Sequence, residues 1–181
     1  MRFIALAIGV IWIIFWVGWL AAAFTVKRGR RNGTGFALRF GIVLVGFLIV
    51  RLIGRHVHDV DNVAQGVIGL AMVVCGLAFA VWARAHLGRN WGPPMTVKVS
   101  DHELVTGGPY RFVRNPIYSG ILLALVGTAV AINLTLLIIA AGLGCYFVYS
   151  CKVEEQIMLR EHPDTYPAYR ASTTMLIPFI L

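Results

Sequence analysis

The densest run of chemically capable side chains is the string from His102 to Gly120, HELVTGGPYRFVRNPIYSG. Gly107 and Gly108 ahead of Pro109 permit a tight turn and a close approach of backbone to a ligand. Tyr110 and Tyr118 offer aromatic faces and hydroxyls, and Arg111 and Arg114 supply fixed positive charge. Pro116 suits the first turn of a helix, where its missing N–H costs little. The N-terminus of that helix would aim free N–H groups and a positive dipole end at the loop, where a carboxylate or phosphate can rest. A basic, aromatic headgroup anchor ahead of a transmembrane helix has the same composition, and the string by itself names no ligand.

A second run, EEQIMLREHPDTYPAY, extends from Glu154 to Tyr169, just beyond Lys152. Its acids read in two ways. They are the solvated start of a helix, where carboxylates complement the dipole, or one of them accepts hydrogen bonds from ligand hydroxyls or an amino group. The three cysteines, Cys75, Cys145 and Cys151, form no CxxC pair and imply neither a disulfide framework nor a zinc site. His56, His58 and Asp61 resemble a loose metal-ligand cluster, but a short polar hairpin outside a membrane has the same look; no metal is expected.

The elements that must position these runs are hydrophobic. Of 181 residues, 59% are apolar and 13% charged, whereas a soluble domain is closer to half apolar and a quarter charged. Long uncharged runs recur, so the excess faces lipid. The net charge of +8 sits mainly between those runs, where it sets topology and meets anionic headgroups rather than nucleic acid. The expected fold is all-α, a polytopic membrane helical bundle of about five transmembrane helices with its chemically dense loop on the cytosolic face.

The first span is Phe3 to Phe24. At about 22 residues it exceeds a signal-peptide core of roughly 7–15, and Trp12, Trp16 and Trp19 recur along it at helical spacing, as a packing stripe with Trp19 a candidate interface anchor. The second runs from about Phe36 to Ile53, with Arg39 and Arg51 near its ends. The third is Val63 to Ala83, where Gly66, Gly69 and Gly76 allow close helix approach. After the polar stretch Arg84 to Pro116 comes a hairpin, Ile117 to Ile132 and Leu134 to Ser150, meeting at Asn133. The tail is amphipathic at first and apolar from Met175. Lys27, Arg28, Arg30 and Arg31 place the first loop inside. Alternation then puts the N-terminus outside, and the Arg84–Pro116 loop and the tail together on the cytoplasmic side. Residues 1–83 thus form three spans, and 84–181 hold the loop, hairpin and tail that carry the chemistry.

The two runs in this order, with the terminal LIPF, resemble the isoprenylcysteine carboxyl methyltransferase family, which is related to membrane phospholipid methyltransferases. The resemblance covers Trp91 to Phe179. It implies an integral membrane enzyme that uses S-adenosylmethionine, releases S-adenosylhomocysteine, and acts on a lipophilic or prenylated acceptor held among membrane lipids, in the inner or cell membrane if the source is bacterial. By similarity His102, Glu103, Leu104 and Val105 line the cofactor, and Tyr110 packs on it. Asn115, Pro116, Ile117 and Tyr118 close the site, and a tail glutamate, Glu155 ahead of Glu154, contacts the cofactor; Gly108 and Arg111 are further candidates. Arg114 corresponds to the Arg of the family's Arg-His-Pro, and with Lys152 is a candidate for positioning the acceptor.

Asn115 departs from the family's histidine. It can hydrogen-bond but cannot titrate near neutral pH, so no general base is evident. A carboxylate acceptor, already ionised, needs none. A phospholipid amine or a thiol acceptor is the alternative within methyl transfer. A NADPH-dependent sterol-reductase-like enzyme and a non-enzymatic membrane protein are the alternatives outside it.

Overall fold

The computed structural model describes residues 2–23, 61–88 and 104–178. The expected second span and the His56/His58 loop lie outside these residues, as do His102 and Glu103. Among the described residues the fold is helical: α1 (Arg2–Ala23), α2 (Val63–Leu87), a single 3₁₀ turn (Gly108–Arg111), α3 (Pro116–Ile132), α4 (Leu136–Glu161) and α5 (Tyr166–Ser172). Three of these, α1, α2 and α4, are long and apolar enough to cross a membrane, and α3 is a shorter apolar helix.

The centre of the bundle is the α2–α3 contact, and glycine makes it. Gly69 and Gly76 on α2 are two turns apart on one face, as are Gly120 and Gly127 on α3. The helices run antiparallel, so Gly69 meets Gly127 and Gly76 meets Gly120. A Cβ at Gly69 would lie 2.5 Å from the Gly127 carbonyl oxygen, and one at Gly76 the same distance from that of Gly120. In lipid, where apolar side chains gain little by leaving their surroundings, such close backbone approach is what packs helices together.

Helix α1 lies against this pair through one stripe. Ile4, Ile8, Ile11, Trp12, Phe15 and Trp19 pack onto Val73, Leu77, Ala80, Ala124 and Ala131, while Phe3, Leu6, Val10, Ile13, Ile14 and Val17 are exposed, as a lipid-facing surface requires. The Trp12 indole N–H donates to Thr128 Oγ1 at 3.0 Å, and the Arg84 guanidinium lies over the Trp19 ring, 4.3 Å from its centroid. Trp12 and Trp19 belong to the expected stripe, whereas Trp16 is turned outward and stacks on Trp12.

The α3–α4 hairpin turns at Asn133, which is buried and extended and whose side-chain oxygen accepts from the Thr135 N–H at 2.8 Å. The second arm of the hairpin does not stop at Ser150, as its apolar pattern predicts, but continues to Glu161. No Gly or Pro interrupts Cys151–Glu161, whose residues are mostly good helix formers, and the helix ends before Pro163. At 26 residues it is about 39 Å long, longer than the roughly 30 Å hydrocarbon layer. Its last turns therefore carry Lys152, Glu154, Glu155, Arg160 and Glu161 beyond the apolar region. This corrects the expectation that the acids begin a helix. They lie in its C-terminal half, without the free N–H groups of a helix start, and the buried one of them needs partners.

Candidate active site

Those partners come from the loop before α3 and from the tail. Arg114 sits just ahead of α3, and each of its three guanidinium nitrogens is engaged. Nε donates to Glu155 Oε1 at 2.8 Å, and Nη2 lies 2.8 Å from the same oxygen. Nη1 donates to the Arg170 carbonyl at 3.0 Å and to the Thr173 carbonyl. Arg170 places its own Nε 3.3 Å from Glu155 Oε2. The Glu155 side chain is 7% exposed and that of Arg114 10%, so this carboxylate is closed in between two guanidinium groups.

The adjacent acid faces elsewhere. Tyr118, in the first turn of α3, donates its hydroxyl to Glu154 Oε1 at 2.8 Å. Its ring stacks on Phe147 of α4, with centroids 4.7 Å apart and planes 16° from parallel. A carboxylate, a phenol and two stacked rings are thus assembled where α3 starts beside the emerging end of α4. Glu154 and Tyr118 are both only partly buried, unlike Glu155.

The tail is held along the same loop. Thr174 N donates to Phe112 O at 3.4 Å, Arg114 N to Thr174 O at 2.8 Å, and Asn115 N to Met175 O at 3.2 Å, a short parallel pairing of 112–115 with 174–175. The Asn115 side-chain amide also donates to Met175 O, at 3.1 Å, and Ser119 Oγ to Leu176 O. Met175 and Leu176 are buried on Cys151, against Tyr118 and Val148. The expected anion seat at the start of α3 is therefore narrowed by carbonyl oxygens of the chain itself.

The glycine–proline turn is fixed from α2. Gly108 has φ +56°, and a Cβ on it would lie 2.8 Å from the His86 ring. Both the left-handed backbone and the neighbouring imidazole call for glycine. Tyr110, next in the 3₁₀ turn, is buried and stacks on His86 at 6.4 Å between centroids, while its carbonyl accepts from the Tyr169 hydroxyl at 2.7 Å. Burial pushes the Tyr110 and Tyr169 phenols well above their ordinary range and that of Tyr166 up to about 12.

Of the residues the sequence singles out, the structure gathers Gly108, Tyr110, Arg114, Asn115, Pro116, Ile117, Tyr118, Glu154 and Glu155 around one end of the α3–α4 hairpin. Pro116 occupies the first turn of α3, as expected. Leu104 and Val105 are half-buried ahead of the turn, and Lys152 is exposed on α4. Arg111 is exposed over the Phe112 ring and, with Phe112, Ala171–Thr174 and Pro178, lines a shallow cavity of about 250 Å³. Tyr118 and Glu154 do not line it.

His86, Phe147, Tyr169 and Arg170 are not among the candidate residues that the sequence offers. Arg170 directly follows the second run, four residues before the tail segment that pairs with the loop, and its charge is the signal that could have found it. His86 and Phe147 lie in apolar helices and carried none.

A family model described as phospholipid methyltransferase matches residues 64–164. A probable protein-S-isoprenylcysteine O-methyltransferase of Oryza sativa subsp. indica is 30% identical over 172 residues, 89% of this chain and 87% of the rice protein. The protein-S-isoprenylcysteine O-methyltransferase of Xenopus laevis is 31% identical over 117 residues, 63% of this chain and 41% of that one. Among solved structures, the eukaryotic intramembrane Ras methyltransferase, isoprenylcysteine carboxyl methyltransferase, superposes with a TM-score of 0.60 at 23% identity. That match covers 83% of this chain, and the chain spans 55% of the length of the solved one; at this identity it speaks for the fold. The apolar helices and these relatives together define an integral membrane methyltransferase. The chain belongs to the isoprenylcysteine O-methyltransferase group within the phospholipid methyltransferase family, which sets aside the reductase and non-enzymatic alternatives.

Proposed function

We propose that the protein transfers the methyl group of S-adenosylmethionine to the carboxylate of a lipophilic, isoprenylcysteine-like acceptor, at a site on the cytoplasmic side built by residues 84–181. The observation that carries this reading is the Tyr118–Glu154 hydrogen bond beside the Tyr118–Phe147 stack. The donor set suits the cofactor. A carboxylate and a phenol match its hydroxyl and amino groups, and aromatic faces attract a cation. When bound, the cofactor supplies an electrophilic methyl on a sulfonium.

The chain's own part is alignment and exclusion of water. Glu154 and Tyr118 hold the donor's polar groups, Tyr110 and the Gly107–Gly108 turn form the wall beside it, and Leu104 and Val105 complete it; the family resemblance adds His102 and Glu103 as donor contacts. Asn115, with its amide given to Met175 O, ties the tail down and moves no proton. A carboxylate acceptor requires no base, which agrees with the absence of a titratable group at that position. Lys152 and Arg111, exposed on this side, are the cations placed to attract an anionic acceptor. Arg114 is spent on Glu155 and the tail and serves to build the site rather than to hold the acceptor. The acceptor's apolar tail stays in lipid while its polar end reaches the interface.

The family's description as phospholipid methyltransferase supports a second reading, an amine headgroup as acceptor. Incubation of purified protein with labelled S-adenosylmethionine and a panel of isoprenylcysteine, phospholipid and thiol acceptors separates these. A base-labile methyl ester on the isoprenylcysteine is expected. A base-stable N-methyl product on a phospholipid, or no product from any acceptor, contradicts the proposal.

A further inference from the structure

Glu155 and Glu154 are adjacent on α4 but do different things. Successive residues on a helix diverge by about 100°, so only one of them can share Tyr118's side. Glu154 does. Glu155 instead joins three segments. Arg114 of the loop holds Oε1, and Arg170 of α5 holds Oε2 while its carbonyl accepts from Arg114. Arg170 is thus tied to the same cluster through both side chain and backbone.

We propose that Arg170 is a positioning residue for the methyl donor's pocket. By sharing the Glu155 carboxylate with Arg114, it latches α5 and the tail strand onto the loop, and so sets the Tyr118–Glu154 pair without touching the donor itself. The proposal rests on the reading of the site given above. Two features make Arg170 the adjustable member of the cluster. Its side chain is 49% exposed, against 7% for Glu155, so its removal leaves Arg114 to compensate the buried acid and the bundle intact. The elements it docks are short: α5 has seven residues, and the tail beyond it is tied by the backbone pairing of 112–115 with 174–175 and by side-chain bonds from Arg114, Asn115 and Ser119. A short segment at the edge of the fold opens locally before the protein unfolds.

The same docked tail lines the donor's side of the molecule. Met175 and Leu176 pack against Tyr118 and Cys151, and the Tyr169 hydroxyl holds the Tyr110 carbonyl. Loosening the latch would let Tyr110 and Tyr118 shift together, which couples tail docking to donor affinity.

The test compares wild type, Arg170→Ala and Arg170→Lys in detergent, using S-adenosylmethionine affinity by calorimetry and amide hydrogen exchange of peptides spanning 112–115 and 173–176. Arg170→Ala is expected to weaken donor binding about tenfold, a usual size for coupling between sites. Exchange in both peptides should accelerate. Arg170→Lys, which keeps the charge but not the planar fork, should fall between the two. Faster exchange with unchanged affinity overturns the proposal. So does lost affinity with unchanged exchange, since Arg170 would then be touching the donor. If the wild type binds no donor, the reading of the site fails instead, and exchange alone decides whether the latch exists.

Discussion

Arg114 and Glu155 are 41 residues apart in the chain, yet two guanidinium nitrogens of the one lie 2.8 Å from a single carboxylate oxygen of the other. This pair spans from the loop before α3 to the emerging end of α4, and it brings the two chemically dense runs of the sequence into one place. The acid is buried, and a buried carboxylate persists only with cationic partners.

Removing Arg114 should therefore cost far more than a surface ion pair. Arg114→Ala leaves Glu155 buried with Arg170 alone, and loss of one partner of a buried pair typically costs about 3–5 kcal/mol. The expected outcome is a marked fall in unfolding temperature in detergent, with Glu155→Gln in the same background recovering part of it. Arg114→Lys keeps the charge but cannot make the paired contact and should rescue incompletely.

Gly108→Ala should destabilise through two separable terms. The left-handed backbone costs an L-residue roughly 1–2 kcal/mol, and the new Cβ would meet the His86 ring at 2.8 Å. Adding His86→Ala removes the second term only. Thermal unfolding of the two single variants and the double variant should show this partial relief, while an additive double variant would show that the imidazole gives way freely.

Gly76→Val should disrupt the bundle, because the added carbons would meet the Gly120 backbone, which cannot rotate aside. Overpacking of this kind costs about 1–3 kcal/mol or more. Gly9→Val on α1 is the matched control, since nothing lies within 4 Å of a Cβ there. Comparing the yield of folded monodisperse protein for the two variants checks this, with loss expected for the first alone.

Tyr118→Phe keeps the stack on Phe147 and loses the hydrogen bond to Glu154. One such bond is worth about 0.5–1.5 kcal/mol, so donor affinity should fall roughly twofold to tenfold. Tyr118→Ala removes the ring as well and should weaken binding further. Titration calorimetry of the two variants distinguishes the hydroxyl's share from the ring's.

The sequence made the frame of this site legible for plain reasons. Small residues at Gly69 and Gly76 mark close helix contact because little else lets backbones approach in lipid, and Pro116 marks a helix start because its missing N–H is harmless there. Tyr118 and the Glu154/Glu155 pair stood out by type. What the sequence left open was rotation and reach. Neither residue type nor spacing tells which of two adjacent acids faces Tyr118: the geometry turns Glu154 to it, and turns Glu155, the acid that the resemblance favours, to Arg114 and Arg170. The end of α4 is not legible in the hydropathy pattern, because the apolar run stops at Ser150 whereas the helical backbone continues to Glu161. His86 was invisible for a related reason. It lies at the end of an apolar helix, and its importance comes from a glycine more than twenty residues away in the sequence.

The most direct measurement of the central claim is titration of the wild-type protein, Tyr118→Ala and Glu154→Gln with S-adenosylmethionine, each first shown to be folded by its unfolding transition. Saturable binding to the wild type, lost or weakened by an order of magnitude or more in both variants, is the predicted result. Wild-type affinity in both variants would contradict it and would move the methyl donor away from the meeting point of α3 and α4.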